Sequence, residues 1–356
     1  MHKSISHRWF AIFATLLLLA PGLSAMPINL GDAAQFNAIV LGGMRGVQSD
    51  VEGRLAVQGD LYMQDFSIGL LLENSSGSRN DLIVGGNATI RNTRIEHGNA
   101  VVAGDANTDE TVGFYSGHDP SITNGELLEG DALDFEALTA DLLNRSSIWG
   151  KLESTGQTLE NRNDENELYD LRFIGNNDLN IFNVNADALS SPDKRITFDI
   201  PATSLALVNV FGTDVNLFNT GFFHTASSND TQLPDNDHNS GIRHDGSLTN
   251  GILFNFVDAI NLNIHSIGIK GSILAPLAST TFYNGHIDGN FIVKDLNQNT
   301  QDTSRLTGQI NNYFFRGQPT PAAVDEPPIV LLLLIAIASL SSSNSIRRMA
   351  IKGSAS

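Results

Sequence analysis

Apolar and polar residues alternate through much of this chain, and the alternation returns at a fixed interval. Ile269-x-Gly271-x-Ile273-x-Ala275 overlays Ile287-x-Gly289-x-Phe291-x-Val293 after a shift of 18 residues. Leu306-x-Gly308-x-Ile310 continues the pattern 19 residues beyond Gly289. Near the N-terminus the pattern recurs as Val51-x-Gly53-x-Leu55, Val57-x-Gly59-x-Leu61-x-Met63, Val84-x-Gly86-x-Ala88-x-Ile90 and Val102-x-Gly104-x-Ala106. Gly86 and Gly104 are again 18 apart, whereas Gly59 and Gly86 are 27 apart, with the loop Glu73–Asn80 between them. Alternation marks strands with one buried side. A repeat near 18 residues with glycine at one phase marks stacked coils, each burying its apolar face on the next, roughly 4.8 Å away. Glycine there permits a tight corner or a close backbone approach. The expected fold is mainly β: a parallel β-helix-like solenoid with about 18-residue coils and one flanking α-helix. The competing architecture is a β-sandwich with unrelated glycine turns.

The helix is predicted over 131–148, where Leu133, Leu138, Leu142 and Ile148 recur at helical intervals and Asp134 is placed to cap the start. The segments 107–130 and 153–167 read as polar loops, the second as mobile. Short strands are expected at 171–174, 180–184, 195–200 and 204–211. The run 252–267 leads into the final coils.

The ends have a different grammar. Lys3 and Arg8, the apolar run 9–20 and the small residues 21–25 predict a secretory signal peptide over 1–25, with an uncleaved membrane anchor as the alternative. Residues 26–317 form the body, and the prolines of 318–328 make an extended linker. The segment 329–356 is aliphatic and then basic, with Arg347, Arg348 and Lys352 last, which predicts a membrane or sorting segment held with its basic end in the cytoplasm.

Charge and composition narrow the function. The formal charge is −18, and the body between the two ends carries 16 basic against 39 acidic groups, about −23. Such a surface repels phosphate backbones, so nucleic acid is not an expected partner. Cysteine is absent, which excludes disulfides, thiolate metal sites and cysteine nucleophiles. The nine histidines show no His-x-x-x-His spacing and read as solvated loop residues. Asp235, Asp237 and Asn239 have the alternate spacing that turns oxygens towards Ca²⁺ in a tight loop. Ser240 and Gly246 occupy places where an EF-hand has Gly and Glu, so a plain solvated loop stands beside that reading. Ser279-Thr280-Thr281 suggests a lattice-binding row, against an ordinary solvated strand. No catalytic or cofactor-binding residues are identified: Gly-x-Ser-x-Gly, phosphate-loop and dinucleotide motifs are missing.

Several stretches together resemble a bacterial surface family, the choice-of-anchor A domain proteins, described as adhesive or collagen-binding-like. They are Leu30-Gly31-Asp32-Ala33-Ala34-Gln35-Phe36-Asn37, Asp50-Val51-Glu52-Gly53-Arg54-Leu55-Ala56-Val57 and Val208-Asn209-Val210-Phe211-Gly212. Ile252-Leu253-Phe254-Asn255-Phe256 with Asp258-Ala259 is another, and Gly271–Pro276 through Asn284–Asn290 completes the set. The resemblance spans about 29–317. It implies an exported solenoid with a surface or matrix role and carries over no catalytic residues. The tail resembles a PEP-CTERM-type signal, with Asp325-Glu326-Pro327-Pro328 in place of the usual Pro-Glu-Pro core. That resemblance implies an exosortase-like sorting transpeptidase in a Gram-negative-type envelope and a transient C-terminal anchor.

The expectation is therefore an exported, non-catalytic cell-surface or matrix adhesion protein. Its partner would be an extracellular polysaccharide or matrix protein, met through loops such as 229–245 and 73–80. A carbohydrate-active β-helix enzyme and a self-associating structural matrix component are the alternatives.

Overall fold

The structure, a computed structural model, describes residues 27–115, 121–122, 124–163, 168–190, 194–225, 230–234, 243–298 and 306–318. The expected signal peptide, sorting tail and calcium loop lie outside these residues.

The chain first lays down β1 (Ala38–Val40), β2 (Met44–Val51), β3 (Leu55–Val57), β4 (Leu61–Ile68) and β5 (Asn80–Val84). β6 (Ala88–Ile95), β7 (Asn99–Val102), β8 (Ala106–Asn107) and β9 (Leu127–Glu129) complete a first stack, and helix α1 (Phe135–Trp149) follows. Next come β10 (Gln157–Asn163), β11 (Leu168–Ile174), β12 (Leu179–Asn185), the short helix α2 (Ala186–Leu189), β13 (Lys194–Asp199) and β14 (Leu205–Phe211). β15 (Asp214–Phe218), β16 (Thr220–His224), β17 (Thr231–Gln232), β18 (Ile252–Phe256) and β19 (Asn261–Lys270) continue the second stack. It ends with β20 (Ser272–Asp288), β21 (Phe291–Leu296) and β22 (Gln309–Asn311).

The mainly β, parallel solenoid is present. Its first face is the ladder β12–β14–β18–β20–β21–β1–β3–β5–β7–β9, every neighbour parallel. The order is discontinuous in sequence, because β1 inserts between β21 and β3. The first stack grows away from that junction, α1 runs back along the first face, and the second stack grows towards the junction from the far end. The coil length is not constant. Register partners are 17 residues apart at Ala38↔Leu55, 27 at Leu55↔Leu82, 18 at Ala88↔Ala106, 46 at Ala206↔Ile252 and 18 at Ile273↔Phe291.

First-face strands read as unbroken apolar runs because both sides are buried. Ala38, Val40, Val208 and Ile273 point into the solenoid core. Ile39, Leu207, Leu253, Leu274 and Ile292 point out beneath α1 and meet Phe135, Leu138, Leu142 and Trp149. Asp134 caps α1 by accepting from the Ala137 N–H at 2.9 Å. At its other end a ladder of asparagines meets the helix carbonyls. Asn255 Nδ2 donates to Ser146 O at 3.0 Å, Asn209 Nδ2 to Trp149 O at 2.8 Å and Asn183 Nδ2 to Leu152 O at 2.9 Å. Ser146 O and Trp149 O also accept from the Gly150 and Leu152 N–H groups, so the asparagine amides add second donors where the helix ends.

The second and third faces come from single long strands bent by a left-handed residue. Asn219, Ser266, Asn284, Gln48, Asp65 and Asn92 all have φ between 41° and 53° and stack at this corner. The glycines do a different job. A Cβ on Gly86 would lie 2.6 Å from the Gly59 carbonyl carbon, and one on Gly289 would lie 2.5 Å from Gly271 O. They permit close approach of neighbouring coils, at two separate corners: Gly59, Gly86 and Gly104 follow first-face strands, while Gly53, Gly271 and Gly289 precede them. Gly308 belongs to neither, since the register His286↔Gln309 sets it opposite Gly285.

Two loop expectations and one helix boundary are corrected. Segment 107–130 contains β9, which pairs parallel with β7 from Ala100↔Leu127 onward. Segment 153–167 contains β10, which pairs antiparallel with β11 from Gln157↔Ile174 onward. It joins a five-stranded sheet with β11, β13, β16 and β17 whose inner residues Leu171, Phe173, Ile196, Phe198 and Phe222 are core. The helix spans 135–149 rather than 131–148, because Asp134 takes the cap position.

Candidate binding face

The second face is buried on its inner side only. In the second stack it is built by β15, β19 and the middle of β20, in unbroken parallel register from Asp214↔Asn261↔Ser279 to Phe218↔His265↔Tyr283. Val215, Leu217, Leu262, Ile264, Thr280 and Phe282 point inward and are buried. The intervening residues form three outward columns. One is Asp214, Asn261 and Ser279; the next is Asn216, Asn263 and Thr281; the third is Phe218, His265 and Tyr283.

Two columns are bonded between β15 and β19, and the third is stacked along its length. Asn261 Nδ2 donates to Asp214 Oδ1 at 2.6 Å, and Asn263 Nδ2 donates to Asn216 Oδ1 at 3.2 Å. Hydrogen bonds from Asn261 and Thr213 hold the Asp214 carboxyl below its ordinary range, so it stays ionised and accepting. The His265 ring lies between Phe218 and Tyr283, at 5.2 Å from each centroid and tilted 13° and 8°. The face thus offers a rigid aromatic edge beside rows of amide, hydroxyl and carboxylate groups, repeated along the axis at the coil spacing of roughly 4.8 Å. This arrangement can hydrogen-bond and pack against a partner that is itself periodic. Arg45, stacked 4.1 Å over Tyr62, lies on the same face beyond the junction.

Of the residues singled out from sequence, Ser279 and Thr281 join this face, and Thr280 does not. In a strand the middle of three residues points the other way, and Thr280 is buried. His265 and Tyr283 were not singled out as a pair, although they sit 18 residues apart, the repeat length. Loop 73–80 is tied down: Asn74 Nδ2 donates to Asn124 Oδ1 at 2.8 Å, and Arg79 pairs with the buried Asp81 at 2.5 Å. The described ends of segment 229–245 are also anchored. Asp230 pairs with Arg172 and Arg195, whose guanidinium contacts hold its carboxyl down to about 2. Arg243 pairs with Glu52 at 2.7 Å. Asp235, Asp237 and Asn239 lie outside the described residues, among which no group of three or more His, Asp or Glu is arranged to hold a metal ion.

An open groove of about 540 Å³ lies elsewhere, on the third face of the first stack, lined by Asp50, Asp65, Ser67, Arg94, Glu96 and Tyr115 among others. Glu96 accepts from Ser67 Oγ at 3.2 Å through Oε1, while its buried Oε2 has no hydrogen-bond partner among the described residues.

Comparison with known proteins places these features in a family. The model described as "Putative Ice-binding-like adhesive domain" matches residues 29–303. A glycosylated ice-binding protein from an Arctic yeast is 12% identical, covers 85% of this chain and 99% of its own, and superposes with a TM-score of 0.32. An ice-binding protein from an Antarctic biological consortium is 14% identical, with coverages of 81% and 90% and a TM-score of 0.32. One from the Antarctic ascomycete Antarctomyces psychrotrophicus is 11% identical, with coverages of 80% and 98% and a TM-score of 0.29. No curated protein matches the chain. With most of its length matched by that family model, the chain belongs to the ice-binding-like adhesive domain family.

Proposed function

We propose that this chain is an exported adhesin that docks onto an ordered extracellular polysaccharide through the second face of its solenoid. The observation that carries the reading is the set of outward columns on β15, β19 and β20, in unbroken register, with Asn261 bonded to Asp214 and Asn263 to Asn216. A rigid row of donors and acceptors loses little conformational freedom on contact, and many weak contacts along a repeating polymer add as avidity. Membership of an adhesive family supports the reading. The resemblance to choice-of-anchor A proteins, the signal-like 1–25 and the sorting-like 329–356 support export and transient anchoring through an exosortase-like enzyme.

The test is co-sedimentation of the full chain with insoluble polysaccharides, including the producing cell's own, in the presence and absence of EDTA, with assay of the supernatant for new sugar ends. Saturable binding without released ends is expected. Loss of binding with EDTA would bring the calcium loop at Asp235, Asp237 and Asn239 into the contact. Binding to collagen-like protein and not to polysaccharide would overturn the choice of polymer. A second reading, a carbohydrate-acting enzyme, draws on the acidic groove and the unpartnered Glu96 oxygen; release of sugar ends would install it instead.

A further inference from the structure

Behind the third face, three successive rungs set Lys270, Asp288 and Asn311 in one column, through the registers Lys270↔Asp288 and Asp288↔Asn311. All three are buried, Lys270 at 1% and the other two at 0% exposure. Lys270 Nζ donates to Asp288 Oδ2 at 2.8 Å, and Asn311 Nδ2 donates to Asp288 Oδ1 at 2.6 Å. An amine and a carboxamide are thus held on the two oxygens of one carboxylate. A second proton acceptor is at hand, with His286 Nε2 3.0 Å from Lys270 Nζ. The Asn311 Oδ1 atom is buried without a hydrogen-bond partner among the described residues. His244 Nε2 lies 2.7 Å from Asp288 Oδ2, and its ring is stacked on Tyr313 at 4.2 Å, which closes the cluster from outside.

We propose that Lys270 and Asn311 join in an intramolecular amide cross-link, with Asp288 relaying the protons. Asp288 takes a proton from the Lys270 ammonium: burial favours replacing the ion pair by two neutral groups, while the hydrogen bonds and charges of His244 and Lys270 oppose it and hold the resting Asp288 carboxyl down to about 2. The Nζ lone pair attacks Asn311 Cγ, and the new C–N bond gives a tetrahedral centre. Asp288 passes its proton to Nδ2 and takes the second proton from Nζ, the Cγ–Nδ2 bond breaks, and ammonia leaves with that proton as ammonium, which returns Asp288 to its carboxylate. Nothing is oxidised or reduced, and no co-reactant enters. One carboxylate holds both reacting groups, which supplies the proximity of an intramolecular reaction.

The link has a mechanical consequence. β22 pairs with both β20 and β2, so it seals the second stack to the first. A bond from β19 across Asp288 to β22 would staple that seal in a chain that has no cysteine.

The test is proteolytic peptide mapping by mass spectrometry of the purified, denatured full chain. The expected result is a linked pair of peptides containing Lys270 and Asn311, lighter than their sum by one ammonia, with no tryptic cleavage after Lys270. Lys270→Arg and Asp288→Asn should each abolish the pair, the second while leaving amine and carboxamide in place. Cleavage after Lys270 together with an unlinked Asn311 peptide in the unmodified chain would overturn the proposal, whatever the variants do. A linked pair lighter by one water and mapping to Asp288 would equally overturn the assignment to Asn311.

Discussion

The first and second faces are cut from the same coils, yet they follow opposite rules. On the first face the strand residues that point away from the core, such as Leu207 and Leu274, are as buried as those that point in. On the second, Asn216, Asn263 and Thr281 occupy the matching outward positions and reach solvent. The difference is α1, which covers one face and leaves the other bare. A solenoid coil therefore divides its surface: one face binds the molecule's own helix, and another leaves its polar columns at the surface.

That contrast can be broken most severely by moving a charge from one face to the other. Leu207→Asp should cost several kcal/mol by burying an unpaired carboxylate under α1, whereas Asn263→Asp should change stability by no more than about 0.5 kcal/mol. Urea denaturation of both variants checks this, and equal losses would deny that the faces differ.

The two kinds of corner give a smaller contrast. Gly86→Ala forces a methyl to within 2.6 Å of the neighbouring coil's backbone, and overpacking of this kind costs about 1–3 kcal/mol. Gln48→Gly, at an exposed corner with φ 52°, should be neutral or slightly stabilising, because glycine carries no left-handed penalty. The same denaturation series reads both.

Next is the seam between helix and first face. Asn255→Ala removes the donor to Ser146 O and the acceptor for Ser146 Oγ. A loss of about 1–3 kcal/mol is expected from the unpaired buried groups, with faster amide exchange in the last turn of α1. The smallest effect lies in acid. The Asp230 carboxyl sits at about 2 in the fold, against an ordinary 3.8. Its contribution is therefore complete above about 3.8 and is lost as pH falls through about 2. Asp230→Asn should flatten the dependence of stability on pH between those values.

The parts of this molecule written locally were legible in its sequence. Alternation located β19 and β20, and helical spacing with Asp134 located α1 to within a few residues. The insertion of β1 between β21 and β3 was not legible, because Ala38 pairs with Phe291, 253 residues away, and no local pattern encodes that choice. The glycine phase was visible, but it conflated two corners, since Val/Ile-x-Gly-x-Leu/Ile occurs on entry to the first face and on exit from it. In the candidate face, Ser279 and Thr281 were legible, and His265 with Tyr283 lay within reach of the 18-residue period. Phe218 was hidden by the 47 residues that separate it from its partner His265. Thr280 was misread because a triplet in a strand cannot present all its side chains on one side.

The central claim is that the bare face, not the loops, holds the partner. The most direct measurement is the binding isotherm of the full chain on its insoluble polysaccharide, compared with that of the double variant Asn263→Arg, Thr281→Arg. The account predicts that binding falls at least tenfold while the unfolding midpoint stays where it was. Unchanged affinity in a folded double variant would contradict it and return the site to the loops.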